Sequence, residues 1–142
     1  MKFSCSVKIF KPREEVASYF FNPKYLHHFQ DGFISKSLLS GVEGKKDAKS
    51  KMLYKKLTLI ETIIYNNLPE EFYALYEHKN MTNTMKVTFN VLDSQSTQYI
   101  SEIEYTELNG IIIKLIAKFF PSLFKKQVLK WMNQFKEFVE SR

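Results

Sequence analysis

A chain of 142 residues with a net charge of +6 and a single cysteine is long enough for one domain with a real core and too short for two comfortable ones. Cys5 alone excludes an intramolecular disulfide, and four glycines with four prolines leave no room for a flexible linker or low-complexity tract. The lysines divide between a loop around Lys45, Lys46, Lys49 and Lys51 and the polar face of the C-terminal segment. With no zinc-finger spacing, helix-turn-helix signal or aromatic-glycine RNA motif, that charge argues for a solvated face rather than nucleic-acid binding.

Residues 2 to 10 alternate Phe3, Cys5, Val7 and Ile9 with Lys2, Ser4, Ser6 and Lys8, which predicts a half-buried strand and a buried thiol. Pro12, Glu14 and Glu15 suit the start of a helix whose inward face is Val16, Tyr19 and Phe20. Asn22-Pro23 stops it and caps a second short helix running through Tyr25, Leu26 and Phe29 to Asp31-Gly32. A strand from Phe33 to Ser40 then ends in a glycine-containing loop, Gly41 to Asp47. The run from Lys51 to Asn66 is too long for one strand, so a tight turn or a bulge is predicted near Lys55-Lys56.

Leu57 to Tyr65 is apolar on both faces, Leu59, Glu61, Ile63 and Tyr65 opposing Thr58, Ile60, Thr62 and Ile64, and the pattern leaves its orientation open. Three more strands follow: Phe72 to His78, then Met85, Val87, Phe89 and Val91 inward, then Tyr99, Ser101, Ile103 and Tyr105. Short polar turns between them imply an antiparallel meander. From Phe124 the apolar residues fall at Phe124, Val128, Trp131, Met132, Phe135, Phe138 and Val139, one face of a long amphipathic helix. Pro121 predicts a kink or break at Phe120. A sheet with one apolar face needs a cover, and only this helix has the length and aromatic content, so the sheet is expected to curl around it.

No apolar run of signal-peptide length follows Met1. Ile111 to Phe124, interrupted by Lys114, Lys118 and Pro121, is shorter than a bilayer requires. A cytoplasmic protein with no transmembrane segment, forming one domain over residues 1–142, is the expectation.

This element order, with Pro-Arg-Glu-Glu-Val opening the first helix, Glu61-Thr62-Ile63-Ile64 followed by Leu68-Pro69-Glu70-Glu71-Phe72, and the closing Phe124-Lys125-Lys126-Gln127-Val128 with Met132 and Phe135-Lys136, resembles the SRPBCC superfamily. That group includes START lipid-transfer domains, birch-pollen-allergen-like proteins and polyketide cyclase/dehydrase proteins, the last branch being nearest in length. The resemblance covers essentially the whole chain, on element order and apolar pattern rather than a catalytic signature. It implies an α+β helix-grip fold: a curved seven-stranded antiparallel sheet around the C-terminal helix, two short helices after the first strand, and an elongated cavity. The glycine-rich turn expected between the third and fourth strands is replaced by Lys55-Lys56.

No spacing suited to a metal, phosphate loop, dinucleotide or nucleophile elbow occurs, so no cofactor is expected. The candidate ligand-binding residues are Tyr54, Glu61, Tyr65, Tyr76, His78, Phe89, Tyr99 and Tyr105 from the strands, and Phe120, Phe124, Trp131 and Phe135 from the C-terminal segment. Any of the rings can equally be core filling. Inward tyrosines, however, bring hydroxyls that need partners, and an apolar pocket with a few convergent polar groups is what small-molecule sites look like. For Glu61 the simpler reading is an exposed sheet carboxylate, because burying it unpaired is costly; for His78 it is an exposed turn residue. If Glu61 faces the cavity, it could orient or protonate a ligand carbonyl.

Gly110 to Phe120, apolar almost all round, reads as a lid, a buried first turn or a homodimer contact. The leading function is binding of a hydrophobic small molecule or lipid between sheet and helix. The alternatives are a cyclase or dehydrase acting on a polyketide-like or aromatic substrate, and an adaptor for a membrane surface or protein partner.

Overall fold

The alternation beginning at Lys2 makes the first strand, β1 (Lys2–Ile9), and in the computed structural model, which describes residues 1–142, Cys5 and Ile9 on its apolar face are buried. Six more strands follow: β2 (Phe33–Ser40), β3 (Lys49–Tyr54), β4 (Thr58–Asn67), β5 (Glu71–His78), β6 (Met81–Asp93) and β7 (Ser96–Leu108). They form one antiparallel sheet in the order β1-β7-β6-β5-β4-β3-β2. The first strand therefore pairs with the last, and β1 and β2 become the two edges. The chain between them has to cross the width of the sheet, and α1 (Arg13–Phe21) with a 3-10 helix (Pro23–His28) makes that crossing. Asn22 ends α1, and its Oδ1 accepts the Lys24 N–H at 3.0 Å with Pro23 opening the 3-10 helix, as the Asn-Pro pair predicts.

Lys55 and Lys56 do form the β3–β4 turn, closed by Tyr54 N–H to Leu57 C=O at 2.9 Å, so the hairpin forms without glycine. Glycine is required at Gly41, which holds φ +83° where a Cβ would stand 2.9 Å from the Ala48 Cα. Register shifts in β2, β4, β6 and β7 bend the sheet and set which residues face inward. Val91 is a casualty of one: expected inward, it is exposed at the end of β6, where the ladder slips between Val91 and Asp93.

The C-terminal segment is two helices, α2 (Ile111–Phe119) and α3 (Ser122–Glu140), broken at Phe120 because Pro121 excludes helical geometry from the residue before it. α3 packs along β1 and α1, burying Val128, Met132, Phe135, Phe138 and Val139. Between α1, α3 and the sheet the core is aromatic. Phe20 sits edge-on to Phe72, Phe89, Tyr99 and Phe135 at centroid distances of 5.9, 5.4, 6.1 and 5.9 Å. Such pairs contribute about 0.5–1.5 kcal/mol each beyond the area they bury. No helix is long and apolar enough to cross a membrane.

Candidate functional site

Antiparallel register sets Ser50 of β3, Glu61 of β4 and Tyr76 of β5 side by side in one row on the inner face. The next row carries Lys36 of β2 opposite Met52. Glu61 and Tyr76 are directly opposed neighbours on adjacent strands, while the long Lys36 side chain reaches across β3 to the same carboxylate. The Lys36 ammonium lies 2.8 Å from Glu61 Oε1, and Tyr76 donates its hydroxyl to Oε2 at 2.7 Å. Both charged side chains are only 5% exposed, which makes this a buried ion pair rather than a surface one. Oε1 receives the ammonium outside hydrogen-bond alignment and keeps acceptor capacity. The ammonium also stands over the Phe21 ring, 4.6 Å from its centroid.

Burial, the Glu61 charge and the hydrogen bond to it together hold the Tyr76 hydroxyl well above the usual tyrosine range, so it stays a neutral donor. Burial and the Glu61 charge likewise raise Tyr54, whose hydroxyl donates to Gln30 Oε1 at 2.7 Å. Tyr54, Leu59, Met85 and Tyr105 lie half-buried on the inner face around this cluster. Phe124 meets Tyr105 edge-on at 5.0 Å, and burial pushes Tyr105 up to about 12. The arrangement offers a polar head of one cation, one carboxylate and the neutral Tyr76 and Tyr54 hydroxyls, set beside the apolar Leu59 and Met85. No three His, Cys, Asp or Glu side chains come together as a metal site.

The sequence candidates thus separate into groups. Glu61, Tyr76 and Tyr54 converge. Phe89, Tyr99 and Phe135 are buried in mutual ring contact and act as core filling (Phe89–Tyr99 5.2 Å, Tyr99–Phe135 5.5 Å). His78 stays at the β5–β6 turn, where its Nδ1 accepts the Asn80 N–H at 3.4 Å. Glu61 is not the exposed carboxylate of the simpler reading: it is buried because Lys36 and Tyr76 supply the partners that reading assumed were missing.

Three candidates lie elsewhere. The slip between Ile63 and Tyr65 turns Tyr65 to the outer face, beside Tyr73. Phe120, at the helix break, is 60% exposed. Trp131 is 42% exposed, because α3 leans on β1 and buries the arc through Val128, Met132 and Phe135 while Trp131 stands at its edge. Two residues escaped the sequence reading, Lys36 and Gln30. No local signal marks Lys36: Ile34 and Leu38, which share its alternation in the sequence, are themselves 59 and 43% exposed, and the β2–β3 ladder slips at Ile34.

On the outer face Tyr65 donates to Glu71, which also pairs with Lys86 at 3.1 Å. Partial burial and Glu71 push Tyr65 up to about 12, while the Tyr65 hydroxyl and the Lys86 ammonium hold the Glu71 carboxyl below its usual range. A depressed carboxyl contributes stability that is complete above the unfolded value of about 4.3 and is lost as pH falls through the folded value. Glu71→Gln is therefore expected to lose less melting temperature than the parent on going from about pH 5 to about pH 3. Equal losses in thermal melts across that range would show that the contact contributes nothing.

An open recess of about 650 Å³ shares Phe21 with the cluster but is lined by none of Lys36, Glu61 and Tyr76. It lies under the end of α1, against the β2–β3 loop and the β4–β5 turn, with Phe21, Asn22, Lys45 and Leu68 in its lining and the candidate Tyr65 at its β4 side. Phe21 thus belongs both to the recess and to the Lys36 contact.

Neither a protein-family model nor a curated protein matches the sequence. Solved structures do match in shape. A START superfamily protein from Mycobacterium smegmatis superposes with a TM-score of 0.79 at 10% identity over 99% of this chain and 97% of its own. The Zhui aromatase/cyclase from Streptomyces sp. R1128 gives 0.80 at 10% identity over 100% and 94%. A truncated norcoclaurine synthase from Thalictrum flavum gives 0.72 at 9% identity over 100% and 94%. With seven antiparallel strands curved about a C-terminal helix and two short helices after the first strand, the chain has the α+β helix-grip fold seen in START-like and polyketide-cyclase-like proteins.

Proposed function

We propose that residues 1–142 act as one domain that binds a hydrophobic small molecule or lipid between the sheet and α3, with the ligand's polar end held by Lys36, Glu61 and Tyr76. The observation that carries this reading is the buried ion pair. Enclosing two charges costs more than packing apolar side chains of the same volume, so such a pair is poor stabilisation and a better sign of a site. The half-buried Tyr54, Leu59, Met85 and Tyr105 supply the apolar wall beside it. The ammonium carries N–H donors free of any hydrogen bond, suited to a carbonyl, hydroxyl or carboxylate at the end of an apolar body.

Native mass spectrometry of the purified chain is expected to reveal a retained apolar compound, and a fluorescent fatty-acid probe is expected to compete with it. Lys36→Met removes a charged donor worth about 1.5–3 kcal/mol, so probe affinity should fall roughly tenfold or more, with Tyr76→Phe weakening it less. A chain that retains nothing and binds no apolar probe, or a Lys36→Met variant that binds as the parent does, overturns the assignment.

The same three groups favour a second reading, proton transfer on a carbonyl compound of polyketide-like or aromatic type. The neutral Tyr76 hydroxyl and the Glu61 carboxylate are a donor and an acceptor 2.7 Å apart. Turnover of such a substrate that is lost in both Tyr76→Phe and Glu61→Gln distinguishes it from simple binding.

A further inference from the structure

We propose that α2 and the start of α3 dock on an anionic lipid bilayer. α2 is apolar at every position but Lys114 and Lys118, and none of its residues is buried. Ile111, Ile112 and Phe119 are 78, 77 and 62% exposed, and Leu115 joins them on one side of the helix. Phe120 and Leu123 continue the strip across the break into α3. An apolar strip this long on the surface of a small protein marks a contact, and neither the core nor the Lys36 cluster uses it.

Charge selects the occupant. Between Leu108 and Lys136 the chain contains no Asp or Glu, while Lys114, Lys118, Lys125 and Lys126 are exposed and lie outside every ion pair. Lys114 and Lys118, four residues apart, flank the apolar arc on one side. Leu123 and Lys126 line a shallow hollow of about 400 Å³ next to it. Apolar rings and branched chains set among unpaired lysines match the acyl and phosphate layers of an anionic membrane surface. A second copy meeting the same face would bring four unpaired lysines against four, which disfavours self-association there.

The test is co-sedimentation of the whole chain with vesicles of phosphatidylcholine alone and of phosphatidylcholine with about one third phosphatidylserine. Binding is expected only to the anionic vesicles, and to weaken on raising salt from about 0.05 to about 0.5 M. Each lysine near the surface is worth about fivefold, so K114Q/K118Q should lose roughly 25-fold in partitioning. I112S/F119S should abolish binding while leaving the melting temperature unchanged, since neither side chain is buried. Equal binding to neutral vesicles, no binding to either kind, or K114Q/K118Q binding like the parent overturns the proposal. So does salt-insensitive self-association that I112S/F119S disperses. Retention of an apolar ligand by I112S/F119S keeps this result separable from the interior site, since none of these substitutions touches Lys36, Glu61 or Tyr76.

Discussion

Glu61→Ala is expected to cost about 3–5 kcal/mol of folding stability, the scale on which removing one member of a buried ion pair leaves the other charge enclosed and unpaired. Lys36 would keep its place at the sheet edge with Phe21 over it and no other acidic group within ion-pair reach. Tyr76 would lose its acceptor as well. The paired change K36M/E61L removes both charges and is expected to be neutral or stabilising, because the desolvation penalty goes with the attraction. Denaturant titration of K36M, E61L and K36M/E61L closes the cycle. A loss below about 1 kcal/mol for Glu61→Ala would show that water reaches Lys36 and that the pair is not enclosed. The cycle also separates structure from function: if K36M/E61L is stable yet retains no ligand, the charges are kept for the guest and not for the fold.

Phe135→Ala should be comparably damaging, about 3–5 kcal/mol, for a different reason. Its ring is 2% exposed and touches Phe29, Tyr99 and Phe20 at 4.8, 5.5 and 5.9 Å, linking α3 to the sheet and to the helical crossing. Truncation leaves a void that these rings cannot close without leaving their edge-on geometry. Against a total stability of about 5–15 kcal/mol this is a large share, and a fall in melting temperature of roughly 10 °C or more follows. Trp131→Ala, four residues earlier on the same helix and 42% exposed, is expected to shift the melt far less. Equal shifts for the two would mean that α3 is rotated from the arrangement described.

Both expectations depend on features that were visible in the sequence to different degrees. The alternation in β1 and β7, the Asn22-Pro23 stop, the lysine turn at Lys55-Lys56 and the break before Pro121 are local, and each appears where its chemistry places it. The inward set Tyr99, Ser101 and Ile103 needed only the period of a strand. Glu61 and Tyr65 show where that reasoning stops. They share an alternation in the sequence, yet one slip in the β4–β5 ladder after Ile63 leaves Glu61 inside and sends Tyr65 outside. No property of residues 57 to 65 taken alone announces it.

The partner of Glu61 was hidden for a related reason. Lys36 and Glu61 are separated by all of β3, and they meet only because three strands align their rows. Their electrostatic relation does not exist until the ladder does. The amino-acid order by itself determined the succession of strands and helices, the break between the last two helices and the inward faces of β1 and β7, because propensity, capping and periodicity act within a few residues. Only tertiary structure decided which carboxylate would be enclosed, which cation would meet it, and that Trp131 would stay at the edge of the buried arc, because register and helix rotation are set by packing between distant segments.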